Sequence, residues 1–164
     1  MGIALDLARV ARRAGEVPVG ALVVAGDAIV GRGHNASITT TDPTAHAEIV
    51  AIREAAGRSG SYRLVGATLY CTVEPCLMCL GALLHARIGR LVFGATEGRV
   101  SATTRLAELR DLGAEINHRF DIVGGVRAAE ASALLLDFFR ECRTVQRTPA
   151  TLPPPANGEV PKWS

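Results

Sequence analysis

The sequence predicts a layered α/β domain, with a mixed five-stranded sheet carrying helices on both faces. Three observations point there. Short apolar, β-branched runs alternate with segments of helical periodicity. The first two runs are joined through Gly26-Asp27, a connection too tight for a crossover, so those strands are antiparallel. The later runs are separated by helix-length segments and can pair in parallel, which makes the sheet mixed. The 164 residues suit one domain with a real core, and 48% apolar against 21% charged residues excludes a disordered chain.

Ile3 to Ala14 reads as a helix with Ile3, Leu7, Val10, Ala11 and Ala14 on one face, ended by Gly15. Val17 to Val24 is the first strand and Ala28 to Arg32 the second. A polar, Thr-rich loop follows from Asn35 to Pro43. Thr44 is placed to cap a helix from Ala45 to about Gly57, with Ile49, Ile52 and Ala56 inward. Ala67 to Val73 is the third strand. Pro75 opens a helix from Cys76 to about Ala86 that is apolar on every side and therefore expected to be buried. Arg90 to Ala95 is the fourth strand, Thr103 to Leu112 a short helix and Asn117 to Val123 the fifth strand. Arg127 to about Arg143 closes the domain, with Leu134, Leu135, Phe138 and Phe139 inward. From Thr148 the composition changes, with Pro149, Pro153, Pro154, Pro155 and Pro161 in quick succession. The expected organisation is a domain over 1–147 and a Pro-rich disordered tail over 148–164.

No apolar run approaches the ~20 residues of a membrane helix. Asp6, Arg9, Arg12 and Arg13 break any secretion signal, so the expected compartment is the cytoplasm. In that setting the Cys-x-x-C pair Cys76 and Cys79 points to metal binding or redox chemistry rather than a structural disulfide.

The metal reading gathers more residues. His46 stands at one helix start, and Cys76 and Cys79 stand at another, spaced so that both sulfurs share a face. A helix N-terminus favours the thiolate that zinc requires. Three protein ligands leave one tetrahedral position for water, the arrangement of a catalytic zinc. Glu48, two residues after His46, is a carboxylate able to take a proton from that water. Two other readings stay open on these residues: a closed structural site with Cys71 as fourth ligand, and a redox pair that explains neither His46 nor Glu48. The alternation of Cys71 with Leu69 and Val73 suits a core residue, and Cys142, His34, His85 and His118 read first as packing, loop, helix-end and strand residues.

The order His46-Ala47-Glu48, then Pro75-Cys76-Leu77-Met78-Cys79, is the H-x-E…P-C-x-x-C pattern of zinc deaminases acting on nucleobases. Beyond it, Gly15-Glu16-Val17-Pro18-Val19-Gly20-Ala21, Asp42-Pro43-Thr44-Ala45, His85-Ala86-Arg87-Ile88-Gly89-Arg90 and Asp137-Phe138-Phe139-Arg140 resemble the bacterial tRNA-specific adenosine deaminases. The resemblance covers roughly residues 3–145. It implies a three-layer cytidine-deaminase-like fold, one zinc per subunit, and conversion of adenosine to inosine at the wobble position of a tRNA anticodon. It also implies a homodimer whose two subunits both contact the anticodon stem-loop. His46, Cys76 and Cys79 match the family's zinc ligands and Glu48 its proton shuttle. Asn35 matches a base-contacting Asn, the Ala47 backbone amide is expected to steady the attacked edge, and Glu97 keeps an acidic position near the substrate backbone.

The segment 96–105 departs from the family pattern. A Gly- and Ala-rich stretch ending in Gly-Ser is replaced by Thr96-Glu97-Gly98-Arg99-Val100-Ser101-Ala102-Thr103-Thr104-Arg105. This leaves a deaminase of a free purine or nucleoside as a second enzyme reading, and a zinc-stabilised RNA-binding subunit as a non-enzyme one. All of the 18 basic residues except Lys162 are Arg. Base composition of the genome accounts for such a bias. Even so, Arg63, Arg87, Arg90 and Arg140 fall in family-like segments, where guanidinium groups suit phosphate contact.

Overall fold

The computed structural model describes residues 1–96, 101–112 and 116–144. Among these residues the elements are α1 (Gly2–Arg13), β1 (Gly20–Ala25), β2 (Ala28–His34), α2 (Ala47–Ser59), β3 (Thr68–Val73), α3 (Leu77–His85), β4 (Arg90–Ala95), α4 (Ala102–Asp111), β5 (Asp121–Val123) and α5 (Ala128–Thr144). The sheet order is β2-β1-β3-β4-β5. β1 runs antiparallel to β2 and β3, while β3, β4 and β5 run parallel. This is the expected mixed sheet. The expected tail, 148–164, lies outside the described residues.

Alternate residues of the strands feed two layers. On one face Ala21, Val23, Leu69, Cys71, Leu91 and Phe93 pack with residues of α2, α3 and α4. Apart from this layer, Leu5 of α1, Ala95 at the end of β4 and Ala131 of α5 form a second cluster. Glycines set how closely the helices approach the sheet. A Cβ on Gly20 would overlap the Ala4 carbonyl oxygen of α1 and lie 2.6 Å from the Ala8 nitrogen. A Cβ on Gly33 would overlap the Ala47 carbonyl oxygen of α2 and lie 2.6 Å from the Ala51 nitrogen. α2 is thus seated against the backbone of β2.

That close approach changes which residues face inward. On α1 the buried residues are Ala4, Leu5, Ala8 and Ala11, while Ile3 is exposed. On α2 they are Ala47, Glu48, Ile49, Ala51 and Ala55, and Ile52 and Ala56 are half-buried. Alanines fill the positions closest to the strands, beside the larger Leu5 and Ile49, because the close approach at Gly20 and Gly33 leaves little room there. β1 begins at Gly20 rather than Val17, because the Val19 N–H closes a tight turn onto the Val17 carbonyl at 2.8 Å. α2 begins at Ala47, with His46 rather than Thr44 as its N-cap. Thr44 gives both its N–H and its hydroxyl to Asp42 Oδ1, at 2.8 and 2.7 Å. α3 is not buried all round, since Leu77 is 56% exposed. β5 keeps only three residues of the expected strand. His118, before it, instead bonds through Nε2 to the Ile88 carbonyl at 2.7 Å. On α5, Phe139 is exposed and Ala131 is the buried residue.

Candidate active site

Two helix starts converge beside the sheet. His46 is the N-cap of α2 and Cys76 the N-cap of α3, both with extended backbone, and Cys79 lies in the first turn of α3. His46 Nδ1 is 3.6 Å from each sulfur, and the two sulfurs are 3.6 Å apart. Zinc–sulfur bonds of about 2.3 Å and zinc–nitrogen bonds of about 2.0–2.1 Å at tetrahedral angles require edges of about 3.8 Å and about 3.6 Å. The triangle therefore fits a tetrahedral zinc, and the donor set of one imidazole and two thiols has the chemistry for it. Nδ1 is the atom that would ligate, which puts the neutral ring's proton on Nε2.

The hydrogen bond between the two thiols moves them in opposite directions. Cys76 is drawn down to about 5, first by the hydrogen bond from Cys79 and then by backbone N–H groups at the start of α3 and the His46 charge, against the effect of partial burial. Cys79 is pushed up by donating that bond, by burial and by the nearby Glu48. A dication between them reverses this for Cys79, because metal coordination deprotonates a thiol outright.

Cys71 takes no part. It is fully buried in the core under β3, its sulfur 4.0 Å from the Val92 carbonyl. That disposes of the closed four-ligand reading among the described residues, where His46, Cys76 and Cys79 form the one group of metal-ligating side chains.

Glu48 lies in the first turn of α2, only 4% exposed. Burial pushes its carboxyl up to about 7, opposed by its own backbone N–H; the Cys76 thiolate raises it further, and His46 and Cys79 lower it. Glu48, His46 and Cys76 line one wall of an open cavity of about 460 Å³. A group with that proton affinity can both accept and return a proton near neutral pH.

Asn35 lines the same cavity, just beyond β2. Its Oδ1 accepts the Ala47 N–H at 2.9 Å. Two residues assigned separately to the substrate are thus bonded to each other. The Ala47 amide is already engaged, and Asn35 keeps its Nδ2 as the donor it can offer a ligand. Glu97 lies outside the described residues.

Sequence reasoning missed the rest of the wall. Val17, Val19, Leu135 and Phe139 are its apolar part, and Glu74 and Thr96 its polar part. Glu74 has a local signal: a carboxylate directly after the apolar strand and before Pro75-Cys76. A second buried carboxylate, Glu16, accepts the N–H groups of Ile38 and Thr39 at 2.8 and 2.7 Å and so holds the Thr-rich loop between Asn35 and His46. Among the family-like arginines, Arg90 pairs with Asp121, Arg140 with Asp137, and Arg87 bonds the Asn117 carbonyl. The two ion pairs are exposed and correspondingly weak.

Residues 1–95 match the family described as the cytidine and deoxycytidylate deaminase zinc-binding region. The chain is 48% identical over 146 residues to the tRNA-specific adenosine deaminase of Haemophilus influenzae, across 87% of this chain and 83% of that one. It is 46% identical over 162 residues to the tRNA(Ile)-lysidine synthase of Deinococcus radiodurans, across 98% of this chain and 27% of that longer one. A solved structure from studies of A-to-I editing by tRNA:A34 deaminases at the wobble position of transfer RNA superposes with a TM-score of 0.76 at 38% identity. It covers 82% of this chain and 97% of that one.

Proposed function

The chain belongs to the zinc-dependent cytidine and deoxycytidylate deaminase family and, within it, to the tRNA-specific adenosine deaminases, and from that premise we propose how its residues convert adenosine to inosine at the wobble position of a tRNA anticodon. The observation that carries the reading is a buried carboxylate, Glu48, beside a ligand triangle of 3.6 Å edges on the wall of an open cavity. The reaction adds water to C6 of adenine and releases ammonia.

His46, Cys76 and Cys79 would hold the zinc. When bound, zinc supplies Lewis-acid activation of the attacking water. Glu48 takes one proton of that water to N1 of the ring and then carries the proton of the new C6 hydroxyl to the amine, so that the C6–N bond breaks, ammonia leaves and C6 becomes the carbonyl of inosine. The raised proton affinity of Glu48 suits it to both directions of transfer. Asn35 offers its Nδ2–H to a ring nitrogen, its Oδ1 being held by Ala47. Val17, Val19 and Leu135 supply the apolar wall against which a base can stack. A base inside a duplex cannot reach this cavity, so the adenosine must be unstacked or in a loop. Glu97 belongs to the substrate contacts by resemblance.

A homodimer is part of the same reading. Exposed Leu77 and Met78 on α3 supply apolar surface that a second copy would cover. No described helix is long and apolar enough to cross a membrane. Free thiols at the site suit a reducing compartment such as the cytoplasm.

The test is a substrate comparison with the zinc-loaded chain. An anticodon stem-loop bearing a wobble adenosine should be converted to inosine, with affinity that falls steeply as salt is added. Turnover confined to free adenine, guanine or nucleosides would overturn the tRNA substrate. A flat salt response would remove the phosphate-contact role of the arginines.

A further inference from the structure

Glu74 is a buried carboxylate that the chemistry above does not use. It is 2% exposed and stands on the cavity wall with His46 and Glu48. Its backbone N–H bonds the Ala95 carbonyl at 2.8 Å, which fastens the end of β3 to the end of β4. Its Oε1 accepts from Thr103 twice, from the N–H at 3.1 Å and from the hydroxyl at 2.5 Å. A hydroxyl has one proton to give, and an ionised carboxylate only accepts. With the Thr103 proton directed at Glu74, Ser101 donates in its 2.9 Å contact with Thr103, and Thr104 donates in its 2.9 Å contact with Ser101. Three hydroxyls at the start of α4 are thereby oriented by one carboxylate.

The placement of this network is what matters. Only Pro75 separates Glu74 from Cys76, so the carboxylate sits on the same rigid segment as the metal ligands. Thr96 lines the cavity, and Ser101 opens the turn into α4. Glu74 on the cavity wall thus reaches the start of α4 directly, through Thr103. Thr103 and Ser101 lie within the segment that departs from the family pattern. A negative group is also well placed at the positive end of a helix.

We propose that Glu74 is a positioning residue which, through Thr103, fixes the start of α4 against the cavity wall and so sets the affinity for the RNA substrate. This rests on the tRNA reading above. Both bonds to Thr103 run to α4, so their loss frees the start of α4 from the cavity wall and spares the group that activates water.

The experiment compares Thr103→Val, Thr103→Ser and Glu74→Gln with the parent, on the anticodon stem-loop. Valine keeps the shape and the backbone donor and removes the hydroxyl; serine restores it. Thr103→Val should raise KM by about fivefold or more, with kcat within about twofold. Zinc should stay at one per chain and the melting temperature near the parent's. Thr103→Ser should return KM to the parent value, and Glu74→Gln, whose amide oxygen can still accept from Thr103, should move KM less than valine does. A parent that converts the stem-loop while Thr103→Val leaves KM unmoved overturns the inference alone. So does a loss of kcat and zinc without a change in KM, or a serine variant that fails to rescue. A parent that leaves the stem-loop unconverted overturns the substrate reading, and this inference with it.

Discussion

Asn35 Oδ1 accepts the backbone N–H of Ala47 at 2.9 Å, so the residue beyond β2 holds the first turn of the helix that carries His46 and Glu48. One amide thereby divides its work. The oxygen caps α2, and the nitrogen is the donor proposed for the base.

Asn35→Asp separates the two roles, because it keeps the capping oxygen and loses the donor. It should retain zinc and melting temperature while raising the stem-loop KM about tenfold or more. Asn35→Ala should lose the cap as well, at a cost of ~1 kcal/mol. Thermal melting beside steady-state kinetics checks this. An aspartate variant that melts as low as the alanine variant would show that this oxygen does not hold α2.

Glu48→Gln should lower kcat by about 10²–10⁴-fold with zinc and fold intact, the usual contribution of a positioned acid–base group. Its melting temperature should not fall, since burial already pushes this carboxyl up to about 7 and a neutral isostere removes the cost of a buried charge. Activity within a few-fold of the parent would remove Glu48 from the proton transfer.

Zinc stoichiometry after denaturation should distinguish the cysteines. Cys76→Ala should lose the metal, because the 3.6 Å triangle loses a corner. Cys71→Ala should keep it and lose only ~1 kcal/mol for a small void in the core. Metal loss in both variants would restore the four-ligand site.

Gly33→Ala tests the seating of α2. The added methyl meets the Ala47 carbonyl and the Ala51 nitrogen, which are backbone and cannot swing aside. Overpacking of this kind costs ~1–3 kcal/mol. Because the displaced turn holds Glu48 and follows His46, zinc affinity should fall together with the melting temperature. A variant with parental zinc affinity would show that α2 need not lie so close.

Asp42 gives a pH signature. The Thr44 hydroxyl, followed by the Thr44 N–H, holds its carboxyl below the ordinary value of 3.8, against slight desolvation. A depressed folded value means that the ionised form adds stability above the unfolded value and loses it as pH falls through the folded one. Asp42→Asn keeps an accepting oxygen and removes the charge. It should melt slightly below the parent at neutral pH, by a few degrees at most, and converge with it in acid. A gap that widens in acid would reverse the assignment.

The chemical core of the site was legible because it is local. His46 and Glu48 are two residues apart, and Cys76 and Cys79 share a helical turn, so their relation follows from backbone geometry. The antiparallel first hairpin was legible for the same reason. The inward faces of α1 and α2 were legible only in part. Ala11 and Ile49 are buried and Ile52 packs against the core as the periodicity indicated, but close helix–sheet packing over Gly20 and Gly33 sets Ala4, Ala8, Ala47 and Ala51 against the strands, which bulk alone does not mark.

By itself, then, the sequence determined the candidate ligand types, the proposed acid–base residue and the alternation that makes a mixed sheet, all matters of spacing within a turn or a strand. The tertiary structure decided what crosses between elements. The parallel pairing of β3 and β4 and the seating of α2 on β2 bring residues thirty positions apart to 3.6 Å. They also set Asn35 against Ala47 and Glu74 against Thr103. Such bonds depend on sheet order and helix depth, which no local periodicity encodes, because they arise only when separate elements compete for the same buried space.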